Sequence, residues 1–138
     1  MNLGAKIMPS SYTCQITATP DDIDILGHVN NAVWVQWMER VSVDHWNRDA
    51  DPAHVDAYIW VVTRHEIDYR GNVTAGENVT ARTWIPEAPR GARFDRMMEF
   101  TGADGKMKVA AKSTWAIIDK VTGRILRVPP EVAANFVD

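Results

Sequence analysis

The chain has 138 residues, 46% hydrophobic and 24% charged, with a formal net charge of −3; this predicts one domain over 1–138 with a substantial core and excludes a disordered chain. No basic stripe marks a nucleic-acid surface, and no apolar run is long enough to span a membrane. The one cysteine, Cys14, excludes an internal disulfide, and with no signal-peptide pattern at 1–11, which reads as a flexible N-terminus, the expected location is cytoplasmic.

Tyr12 to Thr19 alternates apolar and polar residues and predicts a strand, ended by Pro20. Asp21 to Asn31 follows as a loop holding three carboxylates, a glycine and a histidine. Asn30 and Asn31 stand where a helix needs side-chain oxygens to cap its free N–H groups. The helix is expected from about Ala32 to about Asn47. At 100° per residue, Trp34, Trp37, Met38, Val41 and His45 share one face. Val33, Val35, Val43 and Trp46 widen that face, so the helix is expected to be covered on several sides.

Asp49 to Ala57 reads as a polar linker. Four more strands are expected over Tyr58–Tyr69, Glu77–Ile85, Ala92–Thr101 and Lys106–Asp119. Gly102-Ala103-Asp104-Gly105 is a hairpin signal, and Pro129 to Phe136 predicts a short terminal helix. Strand, long helix and four turn-connected strands make an α+β class, with an antiparallel sheet whose concave face the helix fills.

The loop that feeds the helix is the place for chemistry on a carbonyl. A carboxylate there attacks or activates water, and the helix end offers N–H donors and a partial positive potential. The plain structural readings stand beside this one. Asp24 caps a turn, Asp22 binds loop N–H groups, His28 is satisfied locally, and both asparagines are helix caps. Trp34 and Trp37 pack the core, His45 is a hydrogen-bonded core histidine, and Glu39 belongs to a buried ion pair. The spacing of His, Cys and acidic residues gives no metal site.

Asp22-Ile23-Asp24, then Gly27-His28-Val29-Asn30-Asn31, with Trp34 close behind and Glu39 further down the helix, resembles the hotdog-fold thioesterases, in particular the 4-hydroxybenzoyl-CoA thioesterase-like group. Glu66–Tyr69, Gly76–Val79, Ser113–Asp119 and Pro129–Val132 are similar to that group's later strands and ending. The resemblance runs from about Tyr12 to the C-terminus. It implies a curved sheet around one central helix and hydrolysis of an acyl-CoA to the acid and coenzyme A. No cofactor is implied. At least a homodimer is, often a homotetramer, with sites at the interface.

Carried over residue by residue, the resemblance makes Asp24 the base or nucleophile. The Asn31 N–H becomes the donor to the carbonyl, with His28 assisting. Position alone, not the matched motif, makes Trp34 a second-choice neighbour of the acyl group after its core reading. Position alone also makes Arg90 and Arg93, flanking Gly91, candidates to meet coenzyme A phosphates, as any surface-loop arginines are. Leu26 stands where a related plant-type segment has asparagine, which weakens an Asn/His mechanism. The alternatives are an acyl-carrier-protein substrate or a non-catalytic acyl-CoA-binding protein. The loops of hydratase-type relatives are not found.

Overall fold

The computed structural model describes residues 10–137. Within it, period-two alternation becomes five strands: β1 (Ser11–Thr17), β2 (Tyr58–Tyr69), β3 (Asn78–Trp84), β4 (Arg93–Gly102) and β5 (Met107–Asp119). The long helix, α1, is Asn31–Asp49; α2 (Pro52–Ala57) and α3 (Pro130–Ala133) are short. A 3-10 turn at Pro20–Asp22 lies between β1 and α1.

The strands form one antiparallel sheet in the order β1-β3-β4-β5-β2, leaving β1 and β2 as its edges. Register puts the inward residues in line. Val79 and Ala81 of β3, Met98 and Phe100 of β4, and Val109 and Ala111 of β5 all pack with Trp34, Trp37, Met38 and Val41 of α1. Ile16 of β1 and Ile67 of β2 join the same cluster from the two edges. Five strands at ~4.8 Å spacing span about 19 Å, whereas a helix with its side chains is ~10 Å wide. A sheet that reaches one helix with all five strands must curve around it.

Trp34 is fully buried, edge-on to Trp37 (5.0 Å between ring centroids) and to Phe100 (5.3 Å). A second cluster, built on Ile85, Phe94, Ile117, Val132 and Phe136, closes the far end of α1.

Two expectations need revision. The linker expected over Asp49–Ala57 contains α2, which Asp51 caps by accepting from the Ala53 N–H while Pro52 takes a position that needs no donor. Ser11, placed in the flexible start by the sequence reading, opens β1; residues 1–9 lie outside the described residues.

Candidate active site

The loop before α1 is fixed by its own short side chains. Asp22 Oδ2 accepts from both the N–H (2.8 Å) and the hydroxyl (3.0 Å) of Thr19, the structural role expected of it. Ile23 and Val29 pair as an isolated bridge. Between them the Asp24 N–H donates to His28 O (2.9 Å) and the Gly27 N–H to Asp24 O (3.0 Å). Gly27 sits at φ +81°, which a side chain would resist. From behind, the Val29 N–H donates to Val73 O and to Asn72 Oδ1 (3.0 Å), tying the loop to the β2–β3 connection.

Asp24 uses one carboxylate oxygen for this architecture: Oδ1 accepts from the Leu26 N–H at 2.9 Å. Oδ2 has no partner among the described residues. Asn30 is the N-cap, its Oδ1 accepting from the Ala32 N–H at 2.8 Å. Asn31 is the first helical residue, and its N–H is one of the donors that a helix leaves unsatisfied at its positive end. The His28 side chain is exposed and its ring makes no hydrogen bond among the described residues. Asp24, His28 and Asn31 thus lie within eight residues on one loop, beside Ile25 and Leu26, which are 101% and 78% exposed.

A cavity of about 290 Å3 opens elsewhere, between the second half of α1 and the sheet. Trp46, Trp60, Phe94, Trp115 and Phe136 line it, with Glu39 and Val43 on the helix side. Fifteen residues separate Asn31 from Trp46, about 22 Å along a helix axis. Within one chain the Asp24 loop and the cavity therefore lie toward opposite ends of α1.

Of the expected side chains, Trp34 takes the packing role read for it first, while Glu39 stands elsewhere than foreseen. Trp34 belongs to the core and is absent from the cavity wall, because it points at Phe100 from the helix's buried face. Glu39 is exposed and has no ion pair among the described residues, so the buried-pair reading is corrected; it lies at the cavity. Arg90 is drawn to carboxylates, 2.9 Å from Asp95 and 3.4 Å from Glu87, while Arg93 is exposed. The two arginines face each other across the Gly91 turn through paired backbone hydrogen bonds.

Sequence reasoning did not single out Arg96. It is 7% exposed and lines the cavity. Its Nη1 donates to His45 Nδ1 and to Thr83 Oγ1, both at 2.9 Å. A guanidinium only donates, so His45 Nδ1 accepts and its proton sits on Nε2, which faces the Ser10 hydroxyl (2.7 Å) and Asp49 Oδ2 (3.2 Å). Burial, reinforced by Arg96, holds the His45 imidazole down to about 4. Burial also lowers Arg96 to about 10, still charged at neutral pH. The available signal was periodicity: Arg96 lies two residues after Phe94 and two before Met98, on the apolar face of its strand.

A second polar pair, His65 Nδ1 and Ser113 Oγ at 2.6 Å, sits beside Arg96 in register. Burial lowers His65, with the Glu39 charge opposing. Among the described residues no cluster of three or more His, Cys, Asp or Glu could hold a metal ion. No described helix is long and apolar enough to cross a membrane.

The profile of the thioesterase-like superfamily matches residues 18–136. A chloroplastic acyl-acyl-carrier-protein hydrolase of Cuphea viscosissima is 28% identical over 79 residues, 57% of this chain, and the chain spans 19% of that relative's length. A hypothetical protein from Staphylococcus aureus, solved in complex with CoA, superposes with a TM-score of 0.81 at 16% identity, covering 93% of this chain and 82% of its own. A probable thioesterase from Bartonella henselae gives 0.71 at 25% identity, over 87% and 99%. The sheet wrapped on its helix is the hotdog arrangement.

Proposed function

Because the chain belongs to the thioesterase-like superfamily, we propose that it hydrolyses an acyl-CoA to the carboxylic acid and free coenzyme A. The observation that carries the reading is the Asp24 loop. One carboxylate oxygen holds the turn, the other is left for a reactant, and a helix-end N–H stands seven residues on. The thioester oxygen accepts from the Asn31 N–H, which stabilises the charge that develops there. Asp24 Oδ2 takes a proton from water as the water oxygen bonds to the carbonyl carbon; the C–S bond breaks and the thiolate takes up the proton. Direct attack by Asp24, followed by hydrolysis of the anhydride, gives the same products. His28, exposed on the same loop, is assigned to orienting water. Arg93, exposed and without a carboxylate partner among the described residues, is the better placed of the two arginines to meet a phosphate.

The cavity enters this reading through a second copy of the chain. β2 is an edge strand with Ile59 and Val61 exposed, and the Tyr69 hydroxyl at its far end donates to Asn31 O at 3.4 Å. Two β2 strands pairing antiparallel across a two-fold axis bring the Tyr69 end of one beside the Tyr58–Trp60 end of the other. The Asp24 loop of one chain then faces the cavity of the next. A homodimer is the smallest assembly with a complete site, and a tetramer is two of these.

The test is thiol release from short, long and aromatic acyl-CoAs. Asp24→Asn keeps the oxygen that holds the Leu26 N–H and removes the charge, so the variant is expected to fold and lose about a hundredfold or more in kcat. Full activity in the folded variant would move the acid elsewhere, first to Glu39. The Cuphea relative, an acyl-acyl-carrier-protein hydrolase, supports an acyl-carrier-protein substrate as the second reading. The same acyl group offered on both carriers decides between them, and tight binding without turnover on either would make the protein a binder.

A further inference from the structure

Arg96 is a cation held inside an apolar wall with no carboxylate partner among the described residues. Its direct partners are a neutral imidazole and a hydroxyl, both on Nη1. Nε and Nη2 find no partner among the described residues. Asp49, the carboxylate beyond His45, is already engaged by Arg48 at 2.6 and 2.7 Å. A buried charge without a counter-ion is costly, and such groups persist where something pairs with them. The walls around it ask for the same partner. The indole N–H groups of Trp60 and Trp115 are buried and unpaired among the described residues. The Ser42 hydroxyl is spent on Met38 O at 2.7 Å. Thus the buried, unpaired polar groups of this cavity are donors. Its one carboxylate, Glu39, is exposed, and Lys120 adds a second cation at the rim.

We propose that the cavity selects an acyl group with an apolar body and an anionic far end, whose carboxylate pairs with Arg96 while Trp46, Trp60, Trp115 and Phe136 enclose the body. This rests on the thioesterase reading for the identity of the ligand as an acyl group, and it names the class of substrate. A volume of about 290 Å3 suits a chain or ring of modest size and not a long fatty acyl group. Arg96 contacts the distal end of the acyl group and has no part in the bond-breaking step.

The experiment pairs kinetics with binding. Adipoyl-CoA and hexanoyl-CoA have the same chain length and differ in the terminal carboxylate. The wild-type protein is expected to favour adipoyl-CoA in kcat/KM by tenfold or more, chiefly through KM. Arg96→Met is expected to cut that ratio at least tenfold, and Arg96→Lys to restore part of it; thermal melts show that both variants are folded. Calorimetry with hexanoate and 1-hexanol reads the same site without turnover: hexanoate binds the wild-type protein more tightly than the alcohol, and Arg96→Met removes the difference. A preference for hexanoyl-CoA that the Arg96 variants leave unchanged would overturn the proposal, as would equal binding of anion and alcohol. If no acyl-CoA is turned over, the acyl-CoA reading falls, and the calorimetric comparison still decides the anion site.

Discussion

Asp24 divides its carboxylate between two tasks, and the division makes its substitutions informative. Oδ1 accepts the Leu26 N–H that shapes the loop. Asparagine keeps that acceptor and alanine does not, so Asp24→Ala is expected to lose ~1 kcal/mol of stability in urea denaturation beyond any loss in Asp24→Asn. Equal stabilities would show that the hydrogen bond holds nothing. His45 makes a different prediction, read in pH. Its imidazole is held at about 4 in the folded chain against an ordinary 6.5, mainly by burial and then by Arg96, with Asp49 opposing. The folded state therefore resists a proton that the unfolded chain accepts. Stability is full above pH 6.5, falls as pH drops toward 4, and loses no more than about 3 kcal/mol on this account. Asp49, lowered chiefly by its hydrogen bond from Arg48, adds a loss at lower pH still. Melting temperature followed from pH 7.5 to 4.5 checks this; a flat profile, or a profile unchanged in His45→Gln, would contradict it.

At the scale of elements, the helix and the sheet were legible because their periods differ. Trp34, Trp37, Met38 and Val41 recur at helical spacing and form the buried face of α1, while β2 was bounded correctly by its β-branched and aromatic run. Helix α2 was missed because Asp51 and Pro52, which start it, also read as loop residues. The face of α1 carries a large share of the core, so Trp34→Ala is expected to cost ~3–5 kcal/mol in chemical denaturation. A cost under 1 kcal/mol would mean that the Trp34–Trp37–Phe100 contacts are not what anchors the helix. The β2 edge makes its own claim. Ile59 and Val61 are exposed apolar residues on an edge strand whose outer side has no partner among the described residues, an arrangement that invites a second strand. Replacing both with Asp sets like charges along that edge and is expected to weaken the proposed dimer tenfold or more in light scattering. An unchanged mass distribution would place the contact elsewhere.

For the whole molecule, the sequence exposed one half of the candidate site and hid the other. The Asp24 loop is a contiguous segment, and its acids, glycine and asparagines can be read in order. The cavity is assembled from α1, β2, β4, β5 and the C-terminal Phe136, far apart in sequence, and no local pattern announces it. Trp34 was read first as a core residue and only second as a neighbour of the acyl group; it packs the core, and Trp60 and Trp115 line the cavity instead. The helix then separates what the sequence placed together, and the account requires two chains to complete one site. That requirement is open to a direct measurement: thiol release from mixed dimers. Asp24→Asn removes the acid, and Val43→Trp obstructs the cavity, whose helix side includes Val43. Each variant alone is expected to be nearly inactive. Unfolded and refolded together, they form heterodimers in which one site pairs an intact Asp24 with an intact cavity, so that a random mixture recovers about a quarter of wild-type activity. Recovery at that level is the predicted result; heterodimers verified by mass spectrometry that remain as inactive as their parents would contradict a site shared between chains.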